Sequence, residues 1–142
     1  MKKWLVSTGF LLATAAFCGD LAAVKAEPDP NKRSERALDN ARVALEDARV
    51  AFRQGDASKG NSALQEIGES AELCYQSLHQ SNQKPHRSKY YKHAELRLRE
   101  LGRMISGFAD QLPLDQRETA MEVHKSVQAI HDKILVEELE KK

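Results

Sequence analysis

Apolar side chains recur every three to four positions from Leu38 to Ile134. That is the period of an α-helix that hides one stripe from water. The pattern predicts four long helices. The first spans roughly 31–54, with Leu38, Ala41, Leu45, Ala48 and Phe52 on one face, Ala37, Ala44 and Ala51 beside them, and Arg42, Glu46, Arg49 and Arg53 opposite. The second spans roughly 57–82 and presents Gly60, Ala63, Leu64, Ile67, Ser70, Ala71, Cys74 and Leu78. The third, roughly 88–110, presents Tyr90, Tyr91, Ala94, Leu98, Leu101, Ile105 and Phe108. The fourth runs from Pro113 to about 139 and presents Ala120, Val123, Val127, Ile130 and Ile134, flanked by His124 and His131.

The breaks carry the residues that stop and start helices. Asp29 caps a helix whose first residue is Pro30, a position where the missing N–H costs nothing. Gly55 suits the left-handed position after the first helix, and Asp56 caps the second. Ser81 to Pro85 break the second helix, and Ser88 caps the third. Pro113 is expected as first residue of the fourth helix, with Asp115 in its first turn, favourable toward the dipole. Short connections make neighbouring helices antiparallel, so the fold class is all-α: an antiparallel bundle of about four helices, built from two helical hairpins. Both an up-down bundle and two stacked hairpins satisfy the pattern. The first two helices face each other with small residues and should form the tightest pair.

The first 26 residues differ from the rest. Lys2 and Lys3 precede an apolar run from Trp4 to Phe17, and Val24-Lys25-Ala26 places small residues at −3 and −1 of a cut before Glu27. That is the three-part layout of a secretory signal, and the run is short for a bilayer span of about 20 residues. The expected organisation is a signal peptide over 1–26, a linker over 27–30 and a helical bundle domain over 31–142. The expected location is the periplasm or the exterior, with the membrane involved only through an uncleaved leader. Cys18 follows the apolar run as a lipidated cysteine would, but Phe17 is a large residue where that processing wants a small one.

Removing 1–26 takes away Lys2, Lys3, Lys25 and Asp20, which turns the net charge of +1 into −1. No global field then selects a polyanion or a membrane. Cys74 would be the only remaining cysteine, so the core must hold the domain without an internal disulfide. Its place on the second helix's apolar stripe marks it as a small buried hydrophobe.

One segment stands out in charge. Lys84, Arg87, Lys89, Lys92, Arg97, Arg99 and Arg103 face only Glu95 and Glu100, with His86, His93, Tyr90 and Tyr91 among them. Basic residues interleaved with aromatics hold anions. Export makes nucleic acid an unsuitable partner, and acidic protein or an anionic envelope surface fits better. The candidate interaction surface is therefore Lys89, Tyr90, Tyr91, Lys92 and Arg99. Val43, Val50, Leu73, Leu96, Val136 and Leu139 fall off the core faces, and a cluster of them would mark a contact surface.

Catalytic and cofactor chemistry finds no foothold. The chain has no Gly-x-Ser-x-Gly, His-Glu-x-x-His, Cys-x-x-Cys-His or Gly-rich phosphate loop. The Glu-x-x-His of di-iron bundles is absent. His124 and His131 are the only candidate metal ligands of note, and their spacing of seven requires partners from another helix. The expectation is a protein that is not an enzyme and carries no cofactor.

Two resemblances accompany this reading. Ala51 to Asp56, followed by Gly60, Leu64 and Ile67, resembles the turn of a tetratricopeptide repeat, but no second copy follows at a period of 34. Ala71-Glu72-Leu73-Cys74-Tyr75-Gln76-Ser77-Leu78 and Ile130-His131-Asp132 resemble an uncharacterised family of small exported bacterial helical-bundle proteins. That likeness implies export and a bundle, and brings no activity. The function expected is protein–protein contact or self-association in the cell envelope. The alternative is a periplasmic metal- or ligand-binding bundle using His124 and His131.

Overall fold

The computed structural model describes residues 19–140. They form a short helix α1 (Leu21–Lys25) and four long ones: α2 (Pro30–Arg53), α3 (Ala57–Gln80), α4 (Lys89–Gln111) and α5 (Glu118–Leu139). Single 3-10 turns at Pro85–Arg87 and Leu114–Gln116 precede α4 and α5. The positive start, the apolar run and the rest of residues 1–18 lie outside the described residues.

Local chemistry explains the boundaries. The Asp29 carboxylate accepts from the amides of Asn31 (2.9 Å) and Lys32 (3.4 Å), with Pro30 as first helical residue. α2 ends in a Schellman turn: the Asp56 amide donates to Ala51 O (2.9 Å) and the Gly55 amide to Phe52 O (3.1 Å), with Gly55 at φ 75°. Asp56 then caps α3 through the Lys59 amide at 3.0 Å. Ser88 Oγ accepts from the Tyr90 amide at 3.2 Å and opens α4.

The fourth helix begins later than the sequence pattern suggests. Pro113 has an extended ψ of 150°, the next three residues form the 3-10 turn, and α5 starts at Glu118. Asp115 therefore lies in that turn rather than in the first turn of the helix. Arg117 explains the detour, because its guanidinium turns back to donate to Leu112 O (2.6 Å) and Asp110 O (2.9 Å). Those donors satisfy carbonyls that the end of α4 leaves open.

The four long helices are two stacked hairpins. α2 lies along α3 and α4 along α5; the hairpins join where α3 meets α5 and α2 meets α4. α3 and α4, though consecutive, touch only sparsely, so residues 81–88 cross one end of the bundle diagonally and rest on α5. The α2–α3 contact is the most extensive. Ala37, Ala41, Ala44 and Ala48 of α2 and Ala63, Ser70 and Ala71 of α3 are all buried, and small side chains let two axes come close. Leu45, Leu64, Ile67, Leu78, Leu98, Ile105, Val127 and Ile134 fill the centre.

Each seam between neighbours also carries a polar clip. Asn40 of α2 donates to Ser70 Oγ (3.0 Å) and Glu66 Oε1 (2.9 Å) of α3. Arg97 of α4 pairs with Asp39 of α2. Tyr75 of α3 donates to Glu137 Oε1 of α5 at 2.7 Å. Glu95 of α4 meets His131 of α5. No helix among the described residues is long and apolar enough to cross a membrane.

Candidate functional site

α4 carries the basic segment, and its periodicity divides the predicted surface. Tyr91 lies on the stripe with Ala94, Leu98 and Ile105, and it is 2 % exposed. It is a core residue, which corrects its place on the candidate surface. Burial and the nearby Glu137 carboxylate push its hydroxyl up to about 12. Tyr90 is half-buried, and Lys89, Lys92 and Arg99 are exposed.

Lys92 and Arg99 are nevertheless engaged. Both lean over Glu95, Lys92 Nζ at 3.1 Å from Oε2 and Arg99 at 3.8 Å from Oε1. Glu95 itself is 2 % exposed and its Oε1 lies 3.0 Å from His131 Nε2. The other ring nitrogen of His131 lies 3.1 Å from Asp132 Oδ1 and 3.3 Å from Gln128 Nε2. Gln128 in turn donates to Asp132 at 2.9 Å. Burial alone would raise the Glu95 carboxyl; the hydrogen bonds from His131 and Lys92, with the charges of Lys92 and Arg99, outweigh it and hold the group below the usual carboxylate value. Asp132 is lowered in the same way, chiefly by its hydrogen bonds with His131 and Gln128. Glu138, nearby on α5, is raised by burial and by the Glu95 charge, against the pull of Lys92 and His131.

This network engages both ring nitrogens of His131. Both ring nitrogens of His131 already face hydrogen-bonding groups, so no lone pair points into open space. His124 faces the Gly102 backbone of α4, one heptad along from Glu95, and the two histidines sit in separate layers of one seam. Among the described residues no group of three or more His, Cys, Asp or Glu is arranged to hold a metal ion. Cys74 is fully buried and its thiol is pushed up to about 12, mainly by loss of solvent. That thiol is not a nucleophile in the folded state.

No protein-family profile, curated protein or solved structure matches this chain.

Three further cations lie where the diagonal crossover meets α4. Lys84 and Arg87 on the crossover and Lys89 at the helix start are exposed, and none forms an ion pair among the described residues. Lys89 Nζ sits 5.1 Å from the centre of the Tyr90 ring. By contrast, His93 reaches Glu35 at 3.6 Å and Arg97 reaches Asp39, so the lower part of α4 is neutralised by α2. The exposed large apolar residues are scattered: Val43 and Val50 on α2, Leu96 on α4, Leu114 in the turn before α5, and Met121, Val136 and Leu139 on α5. Leu73 instead packs partly against the core.

Two of the concavities among the described residues flank α5. A groove of about 640 Å³ runs between α3 and α5, where Gly68, Ser126 and Ala129 are small; Leu73, Val123 and Ile130 line it with Glu69, Glu72, Glu122, Lys25 and Lys133. A second hollow of about 460 Å³ lies under the crossover, lined by His79, His86, Tyr91, Glu137 and Glu140 among others.

The sequence reading missed Glu95 as a site residue, although the signal was present. Glu95 falls four after Tyr91 and three before Leu98, on the stripe itself. A carboxylate at such a position must find partners or leave the core.

Proposed function

We propose that this chain is an exported helical module that works by protein–protein contact in the cell envelope, with no chemistry of its own. The contact surface is the cationic corner formed by Lys84, Arg87 and Lys89 around Tyr90, and its partner is an acidic protein segment. One observation carries the reading: these three cations are exposed and free of ion pairs among the described residues, whereas Lys92, Arg97 and Arg99 are committed to carboxylates of the bundle. Unpaired cations beside a half-buried aromatic ring offer charge and apolar area together, the combination found at binding hot spots. The leader-like start of the sequence supports export, as does the likeness to small exported helical bundles.

A photo-crosslinking residue in place of Tyr90, in cells expressing the full chain, tests this. A discrete adduct is expected, and it should vanish when Lys84, Arg87 and Lys89 are changed to Glu. An adduct that survives those changes, or none at all, would discard the corner as a contact surface.

A further inference from the structure

The folded domain starts earlier than a cut after Ala26 allows. α1 lies against α2 and α3, and Val24 on it is only 7 % exposed, within the core cluster. The Gly19 amide donates to Asp47 Oδ2 of α2 at 3.2 Å. Gly19 fits so closely that a Cβ there would stand 2.5 Å from Glu66 Oε1 and 2.8 Å from Asn40 Oδ1. Asp20 caps α1 through the Ala23 amide at 3.0 Å. Residues 27–30, expected as a linker, are tied down as well. The Glu27 carbonyl accepts from Arg33 (2.7 Å), and its carboxylate pairs with Arg36 (2.8 Å). Arg33 goes on to Ser77 Oγ of α3 at 2.9 Å.

A cut before Glu27 removes α1 whole. It uncovers the apolar surface under Val24 and puts a new ammonium group beside Arg33 and Arg36. A second site lies upstream, ahead of the described residues that begin at Gly19. Ala13-Thr14-Ala15 places alanine at −3 and −1, within the apolar run Trp4–Phe17 and directly after its large-residue part Trp4–Leu12. Trp4–Leu12 alone fits the 7–15 residues of a signal's apolar region, and Lys2-Lys3 supply its positive start. Between Ala15 and Gly19 lie only Ala16, Phe17 and Cys18.

We infer that leader removal occurs upstream of Gly19, at the Ala15–Ala16 bond, so that α1 belongs to the mature protein. The step rests on the export reading. It is a hydrolysis: water adds across the Ala15–Ala16 amide, leaving a carboxylate on Ala15 and an ammonium on Ala16, catalysed by the leader peptidase of the envelope. The mature chain then keeps Cys18 in addition to the buried Cys74.

Intact mass of the protein recovered from the envelope of cells expressing the full chain gives the terminus directly. A chain beginning at Ala16 is expected. A chain beginning at Glu27 overturns the inference while leaving export standing. Uncut protein in the cytosol overturns both. The substitution Val24→Asp separates the two sites independently. With the upstream cut, processing continues and the exported protein melts roughly 5–10 °C lower, because a charge enters the core. With the cut after Ala26, Asp at −3 blocks processing and uncut precursor accumulates, which would overturn the inference a second way.

Discussion

Glu95 is the residue on which the α4–α5 seam turns. Its carboxylate is buried between His131, Lys92 and Arg99, and each partner favours the ionised form. Because its folded value lies below the ordinary 4.5, it stabilises the fold above that pH, and the contribution is lost as the pH falls from about 4.5. The melting temperature should therefore drop on acidification below that point, and Glu95→Gln should flatten the drop; equal slopes for the two proteins would show that the carboxylate is not responsible. His131→Ala leaves a buried carboxylate without its main donor, and about 1–3 kcal/mol of stability should go with it in chemical denaturation. Lys92→Ala should cost less, since its amine is largely in water and screened. Cys74 belongs to the same scale. In a Cys18→Ser background a thiol reagent should label Cys74 only at the rate of unfolding, and prompt labelling of the native protein would contradict its full burial.

At the scale of the elements, the α2–α3 hairpin is set by its turn. Gly55 takes a φ of 75°, which an L side chain adopts at a cost, and Gly60 lies under Phe52, whose ring would stand 2.5 Å from a Cβ there. Phe52 is held in turn by Phe108, ring centres 5.8 Å apart. Gly60→Ala should accordingly destabilise by about 1–3 kcal/mol through overpacking, although alanine favours helix elsewhere. Combining it with Phe52→Leu should recover part of the loss, and strict additivity in the double-mutant cycle would mean that the two sites do not touch. Helix boundaries at 30, 57 and 89 were legible in the sequence because each rests on a local cap, Asp29, Asp56 and Ser88. The start of α5 was not legible, because Arg117 reaches back seven residues to Asp110 and so fixes the entry.

For the whole molecule, burial rather than hydrophobicity decides which apolar residues hold the hairpins together. Leu98 is fully buried between them, while Leu96, two residues away, is 40 % exposed. Leu98→Ala should cost about 2–5 kcal/mol, and Leu96→Ala under about 0.5 kcal/mol. Comparable losses by urea titration would place Leu96 in a contact that the isolated chain does not show. The basic segment reads differently at this scale too. Along the sequence it is one run of cations, yet folding pairs Lys92, Arg97 and Arg99 with carboxylates of α2 and α4 and leaves Lys84, Arg87 and Lys89 at one corner.

The sequence by itself determined what depends on near neighbours. Four helices follow from a period of three to four, and most of their ends follow from caps a few residues away. The small faces of the first two helices follow too, as does the burial of Cys74, which its stripe position implies. Tertiary structure alone decided what depends on residues far apart in the chain. It stacked two hairpins with a diagonal crossover, because either arrangement hides the same four stripes and only the interlocking of side chains distinguishes them. It paired Glu95 with His131 across 36 positions and drew α1 into the core at Val24. Periodicity says which face of a helix avoids water; it does not say which other helix will cover it.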